Sequence, residues 1–190
     1  MKYQIRRNIF ETNSSSVHVI AIGKSNWKNN LPPDVYFELG QFGWESETYI
    51  DTYSQASYLY TAIADFYLNH NGGCKNCEEV KKCRENGSLK SFNEYHFKKA
   101  LDFISSTLSE YGVESEFQDI NETPDFYYYV DHADSLREFI NKILSSKELL
   151  MSYLFSNTII ETGNDNSDEF PNFEDYNSSG EYKYVYEKYN

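Results

Sequence analysis

Three cysteines and a nearby histidine in the middle of the chain have the spacing of metal ligands. The cysteines form a C-x2-C-x5-C pattern, and the histidine precedes the first of them by four positions. Zinc prefers four tetrahedral thiolate or imidazole ligands, and a C-x2-C turn presents two thiolates to one ion. The pattern predicts a structural zinc site, whereas the alternative is three reduced thiols in an exposed, lysine-rich loop. The candidate ligands are His70, Cys74, Cys77 and Cys83, with His96 as an alternative fourth ligand.

A second group of chemistry-bearing residues lies near the N-terminus, where serines precede a histidine. Ser16 and His18 are two positions apart, so an extended strand places both on one face. A serine beside a histidine is typical of a nucleophile with its base, and a third group must orient that base. The alternative is a polar turn that enters a strand, with the histidine satisfied by its neighbours. The candidate catalytic residues are Ser14, Ser16, His18, Asp131, His132 and Asp165.

Acidic residues form a third candidate site, for a partner protein. The chain carries 17 basic and 30 acidic residues, a net charge of −13, which disfavours direct nucleic-acid binding. Residues 101–134 hold nine acids and no Lys or Arg, and residues 31–60 hold five acids and no Lys or Arg. Carboxylates beside tyrosines suit a positively charged groove, although a solvated acidic face is the plain alternative. The candidate partner-binding residues are Glu110, Glu114, Glu116, Asp119, Glu122, Asp125, Tyr127 and Tyr128.

Strands and helices in mixed order must position these groups. Alternation and β-branched residues predict strands, and apolar residues at helical spacing predict helices. A strand over 3–10 could pair with the strand at 17–22. The predicted strands cover 17–22, 35–39, 113–120, 126–130, 158–161 and the alternating tyrosines of 182–186. Four helices are predicted: one that begins at Ser54, one from Ser91 to about Gly112, and two that cover 135–144 and 146–155.

This order predicts an α+β fold with one domain, a mostly antiparallel sheet and helices packed against it. The domain spans 1–163 and includes a Cys-rich loop at 70–84. An acidic, Asn- and Ser-rich segment at 164–190 follows it and ends in the tyrosine-rich strand. The sequence shows neither a secretion signal nor a membrane-spanning apolar run, so we expect a protein of the cytoplasm that makes no membrane contact.

The chain opens with the basic pair Arg6-Arg7 followed by Phe10-Glu11-Thr12-Asn13-Ser14-Ser15-Ser16-Val17-His18. This opening resembles that of a widespread family of small phage and prophage proteins. Further similar islands are Phe42-Gly43-Trp44-Glu45, Ser57-Tyr58-Leu59-Tyr60-Thr61, Tyr129-Val130-Asp131-His132 and Thr162-Gly163-Asn164-Asp165-Asn166. The resemblance implies an accessory phage role in a bacterial host, and phage proteins of this size and charge include anti-CRISPR inhibitors.

Three functions therefore remain open. The first is an acidic counter-defence protein that binds a basic host protein or ribonucleoprotein, such as a CRISPR nuclease, without catalysis. The second is an accessory enzyme that acts on a nucleotide-like or phosphorylated substrate through a Ser/His/Asp site. The third is a regulatory module held together by structural zinc.

Overall fold

A computed structural model describes residues 16–24, 26–29, 31–43, 46–69, 78–122, 128–131, 136–164 and 173–188. It confirms the α+β class, with a mainly antiparallel sheet and helices packed on it. The strands are β1 (Ser16–Gly23), β2 (Asp34–Phe37), β3 (Gln41–Phe42), β4 (Glu47–Tyr49), β5 (Glu114–Phe117), β6 (Tyr129–Val130), β7 (Ile159–Asn164) and β8 (Tyr182–Lys188). The helices are α1 (Thr52–Ala64), α2 (Glu78–Glu85), α3 (Leu89–Glu110), α4 (Leu136–Ile143), α5 (Lys147–Phe155) and α6 (Phe173–Ser179). None of these described helices has the length and apolar character required to cross a bilayer.

The main sheet has the strand order β4-β7-β1-β8, and each neighbouring pair is antiparallel. Strand β1 is central and buried from Val17 to Gly23, as its nearly continuous apolar sequence requires. From His18 to Ala21 both edges of β1 are taken, by β7 and by β8. The strand predicted over 3–10 lies outside the described residues.

The chain after residue 164 contributes to the same sheet. Strand β8 pairs with β1 from His18 to Gly23, and Tyr186 is 9% exposed in the common core. Helix α6 lies within the acidic, Asn- and Ser-rich segment and packs against β8. The C-terminal strand is therefore an integral edge of the sheet.

Two helices begin earlier than their apolar residues indicate. Asp51 caps α1, because its side chain accepts a hydrogen bond from the Ser54 backbone N–H at 2.9 Å. Helix α3 begins at Leu89, and its N-cap residue, Ser88, lies three positions before Ser91, where the sequence predicts the helix to start. Its end agrees with the prediction: the N–H of Val113 bonds to the carbonyl of Leu108, and Gly112 takes a φ of +75°.

Two short parallel pairs complete the architecture, β2 with β5 and β3 with β6. Helix α1 packs against β2, β6, α4 and α5, and its residues from Gln55 to Ala64 are buried. A five-residue π-helical turn, Asp65–Asn69, continues α1. These contacts place α1 against both parallel pairs, through β2 and β6.

Candidate functional site

The antiparallel pairing of β1 with β7 brings two distant polar motifs together. His18 pairs with Thr162, and Ser16 pairs with Asn164. The serine-rich opening and the Thr-Gly-Asn motif therefore lie side by side at one end of the sheet. The side chain of Ser16, together with Ser14, His132 and Asp165, lies outside the described residues, so a catalytic role for these four stays a prediction.

His18 is fully buried and joins β1 to α1. Its Nδ1 lies 2.7 Å from the hydroxyl oxygen of Tyr58, within hydrogen-bond distance. Burial raises the pKa of Tyr58 well above its ordinary value, with smaller contributions from Tyr186 and Tyr49. The phenol of Tyr58 therefore stays neutral and holds the imidazole in a fixed orientation.

Gly43 brings His18 and Asp131 to one point. The φ of Gly43 is +99°, and a Cβ placed on it would lie 2.3 Å from Nε2 of His18 and 3.0 Å from Cβ of Asp131. The chain reaches this position because the N–H of Asp131 donates to the carbonyl of Phe42 at 2.9 Å, which extends the β3–β6 pairing. We call His18, Gly43, Tyr58 and Asp131 the strand-end cluster.

Two of the predicted catalytic residues, His18 and Asp131, both lie against Gly43 although they are distant in the chain. The imidazole, however, is 0% exposed and packs against Gly43 on its Nε2 edge. A substrate atom can reach Nε2 only if Gly43 moves away. In the described conformation His18 joins β1, α1 and β3, which agrees with the plainer interpretation of a histidine satisfied by its neighbours.

A buried carboxylate next to the strand-end cluster was missed by sequence reasoning. Asp65 is 1% exposed, and its Oδ2 accepts a hydrogen bond from the Val130 N–H at 3.0 Å. Its Oδ1 accepts from Nδ2 of Asn69 at 2.9 Å, within the π-helical turn. Asp65 thus fixes β6 and the backbone of the adjacent Asp131. The available signal was an acid at 65 inside an otherwise apolar helical stretch.

The second candidate site is the outer face of the β2–β5 pair. The parallel register places Asp34 beside Glu114 and Tyr36 beside Glu116. The alternate residues Val35 and Phe37 are buried, so these four side chains share the opposite face, with all three carboxylates exposed. We call Asp34, Tyr36, Glu114 and Glu116 the acidic face. Asp34 and Tyr36 were not among the predicted partner residues, although the predicted strand at 35–39 and the base-free stretch 31–60 contained the signal.

The other predicted partner residues have different surroundings. Glu110 forms an ion pair with Lys147, and Asp119 accepts a hydrogen bond from the Asn121 N–H at 2.8 Å. The prediction of Tyr128 as an exposed anchor is wrong, because Tyr128 is 1% exposed and packs in the core just before β6. The side chain of Glu122, and all of Asp125 and Tyr127, lie outside the described residues.

The proposed zinc ligands fall mostly outside the described residues, which exclude His70, Cys74 and Cys77. Cys83 is half-buried on α2 with a free thiol. The ring of His96 lies among aromatic rings, with centroid distances of 6.0 Å to Tyr67 and 4.3 Å to Phe92. Among the described residues no group of three or more His, Cys, Asp or Glu side chains could hold a metal ion. The zinc site stays a prediction.

Comparisons of this chain with family models, with curated proteins and with solved structures find no match.

Proposed function

We propose that this protein binds a positively charged partner protein through its acidic face. One observation carries the proposal: the β2–β5 pairing joins the two stretches of the chain that lack Lys and Arg, 31–60 and 101–134. Three carboxylates and one tyrosine thereby share a continuous exposed surface. A protein that only needed a soluble surface would gain nothing from gathering like charges on adjacent strands.

The arrangement costs stability in the unbound protein. Adjacent strands lie about 4.8 Å apart, and like charges on neighbouring residues at that separation repel each other. Asp34 and Glu114 are such a pair. Among the described residues, no lysine or arginine forms an ion pair with Asp34, Glu114 or Glu116. A cationic partner would offset this repulsion, which favours binding to a positively charged surface.

The partner class that we propose is a basic host protein or ribonucleoprotein that handles nucleic acid. RNA-guided nucleases hold their nucleic acids in a positively charged channel. A carboxylate-bearing surface can occupy such a channel and exclude DNA, and long-range attraction accelerates the encounter. The resemblance to phage proteins supports this choice of partner, and the protein would then act as a stoichiometric inhibitor of a CRISPR nuclease in the bacterial cytoplasm.

An inhibition titration tests this proposal. Purified protein is titrated against a guide-loaded CRISPR nuclease with its DNA target, at low and at physiological ionic strength, and DNA cleavage is measured. We expect inhibition to be complete near one equivalent and to weaken with salt, because exposed charges are screened beyond about 8–10 Å at 0.1–0.15 M. The double variant Glu114→Gln/Glu116→Gln should inhibit at least tenfold less well.

A matched control separates the acidic face from net charge. Glu85→Gln/Asp102→Asn changes the charge by the same amount at exposed positions on α2 and α3. We expect this control to inhibit like the unmodified protein. Equal loss in both double variants would show that only net charge matters, and unchanged inhibition in both would refute the acidic face as the binding surface.

The convergence of His18 and Asp131 favours a second candidate, an enzyme acting on a nucleotide-like or phosphorylated substrate. It requires Gly43 to move so that Nε2 of His18 is uncovered. The same titration tests it, because an enzyme inactivates the nuclease at far less than one equivalent, with a rate that His18→Gln abolishes. The variant must retain its fold by circular dichroism for that loss to count.

A further inference from the structure

A groove of about 840 Å³ adjoins the acidic face. It lies between the turn before β2, the first turn of α1 and the last residue of α5. Its walls are mostly aromatic or proline side chains, and its volume is within the usual range of about 300–1,000 Å³ for ligand sites. The lining residues that matter here are Trp27, Pro32, Pro33, Tyr36, Tyr53 and Phe155.

Two tyrosines form an exposed aromatic wall of this groove. The rings of Tyr36 and Tyr53 stack with a centroid distance of 6.4 Å and an interplanar angle of 24°. Tyr53 is 47% exposed and its hydroxyl donates to the Glu38 carboxylate. This hydrogen bond is the main cause that raises the pKa of Tyr53 to about 12. The ring is therefore held in place as a neutral surface that can stack with a guanidinium or an apolar side chain.

The charges around the groove select a cation. Asp34 lines the groove itself and also belongs to the acidic face. Asp51 lies at the start of α1; burial opposes its ionisation, yet hydrogen bonds from Ser54 outweigh that effect and lower its pKa. Glu38 adds a third carboxylate. One cation, Lys28, lies beside the lining residue Trp27, with its Nζ 5.4 Å from the centre of the Trp27 ring.

We infer that the groove receives a short cationic and apolar segment of the partner. A guanidinium or ammonium group lies over the Tyr36–Tyr53 pair beside Asp34, and an adjacent apolar side chain packs between Trp27 and the two prolines. Charge complementarity excludes nucleic acid as the occupant, since a phosphate chain would face Asp34 and Glu38. The inference rests on the proposed function and adds to it the chemistry of the segment that is bound.

A synthetic peptide tests this inference directly with the full chain. The probe carries three arginines around a leucine–proline pair, and a second probe replaces leucine and proline by glycine. Binding is measured by isothermal titration calorimetry and located by NMR chemical-shift changes. We expect the apolar probe to bind at least fivefold more tightly than the glycine probe and to shift the Tyr53 and Trp27 signals.

Variants identify the groove. Tyr53→Ser should weaken binding of the apolar probe about tenfold, in the range of an aromatic anchor. Tyr95→Ser is its control, because Tyr95 is also exposed, at 62%, but lies on α3 away from the groove. Asp34→Asn should weaken binding and reduce its salt dependence.

The failure of this inference can be told apart from failure of the proposed function. If both probes bind equally and Tyr53→Ser has no effect, while Glu114→Gln/Glu116→Gln still abolishes nuclease inhibition, then the acidic face binds the partner and the groove does not. If the probes bind in the groove but the nuclease is not inhibited, the partner class is wrong. Absence of measurable binding by either probe overturns the inference.

Discussion

Replacing Gly43 by alanine tests whether the strand-end cluster is as tightly packed as its geometry indicates. Two costs combine. An L-residue in the left-handed region costs roughly 1–2 kcal/mol, and forcing a methyl group into a packed site costs typically about 1–3 kcal/mol more. The overlap is unavoidable because the new Cβ would lie 2.3 Å from Nε2 of His18, while Nδ1 of that ring is held by Tyr58.

We expect Gly43→Ala to lower the free energy of unfolding by about 2–5 kcal/mol, out of a typical total of about 5–15 kcal/mol. At roughly 2–4 °C per kcal/mol for a chain of this length, the midpoint of thermal unfolding falls by about 4–20 °C. Urea unfolding monitored by circular dichroism gives the free energy, and differential scanning calorimetry gives the midpoint.

Gly87→Ala is the matched control. Gly87 has a φ of +74°, but a Cβ placed there meets nothing within 4 Å. It should therefore cost only the backbone contribution of about 1–2 kcal/mol. A loss at Gly43 no larger than the loss at Gly87 would refute the close approach to His18.

A double-variant cycle identifies the cause of the difference. In a His18→Ala background the imidazole is gone, so adding Gly43→Ala should cost less than it does when His18 is present, although the new Cβ would still lie 3.0 Å from Cβ of Asp131. Residues in contact commonly show non-additivity of about 0.5–3 kcal/mol. Strict additivity of His18→Ala and Gly43→Ala would mean that the imidazole and Gly43 do not press on each other, and the strand-end cluster would lose its central contact.

Three further predictions follow from other parts of the structure. Burial raises the pKa of both Tyr58 and Tyr153 well above the ordinary value of about 10, so the unfolded state loses these protons first. The contribution of these two tyrosines to stability against urea should be constant below about pH 9 and fall above pH 10 by up to about 1.4 kcal/mol per pH unit for each tyrosine. A flat profile between about pH 9 and pH 11 would contradict their burial. Asp65→Ala leaves the buried Val130 N–H without its carboxylate acceptor and should lower the free energy of unfolding by about 1–3 kcal/mol. The exposed control Asp102→Asn should lower it by about 0.5 kcal/mol or less. Similar losses in the two variants would count against the role of Asp65. Elemental analysis of protein purified without chelators should find about one zinc per chain, which Cys74→Ser/Cys77→Ser removes; folded protein without metal would end the zinc hypothesis.

Much of the local structure could be predicted from the sequence. The apolar run at 17–22 marked β1, the helical spacing marked α1, and Gly112 marked the end of α3. These features depend on interactions within a few residues, namely side-chain periodicity and the hydrogen bonds of helix ends. The helix starts were less accurate, because Asp51 and Ser88 precede the apolar residues that reveal the helices.

The candidate sites were only partly predictable. The unequal distribution of charge along the chain was visible, and it indicated an acidic surface. Which residues form that surface could not be predicted, since Tyr128 is buried while Asp34 and Tyr36 belong to the acidic face. Periodicity shows which side of a strand is apolar, but it does not show which distant strand lies beside it.

The sequence by itself determined the class of the fold, the presence of a strand at 17–22 and the two acidic, base-free stretches. Only the tertiary structure decided that β2 lies parallel to β5, so that those stretches form one face, and that Gly43 comes between His18 and Asp131. The physical reason is that both arrangements depend on contacts between residues tens of positions apart. Their geometry is set by how α1 and the strands pack into one core, where side-chain volumes leave few alternatives.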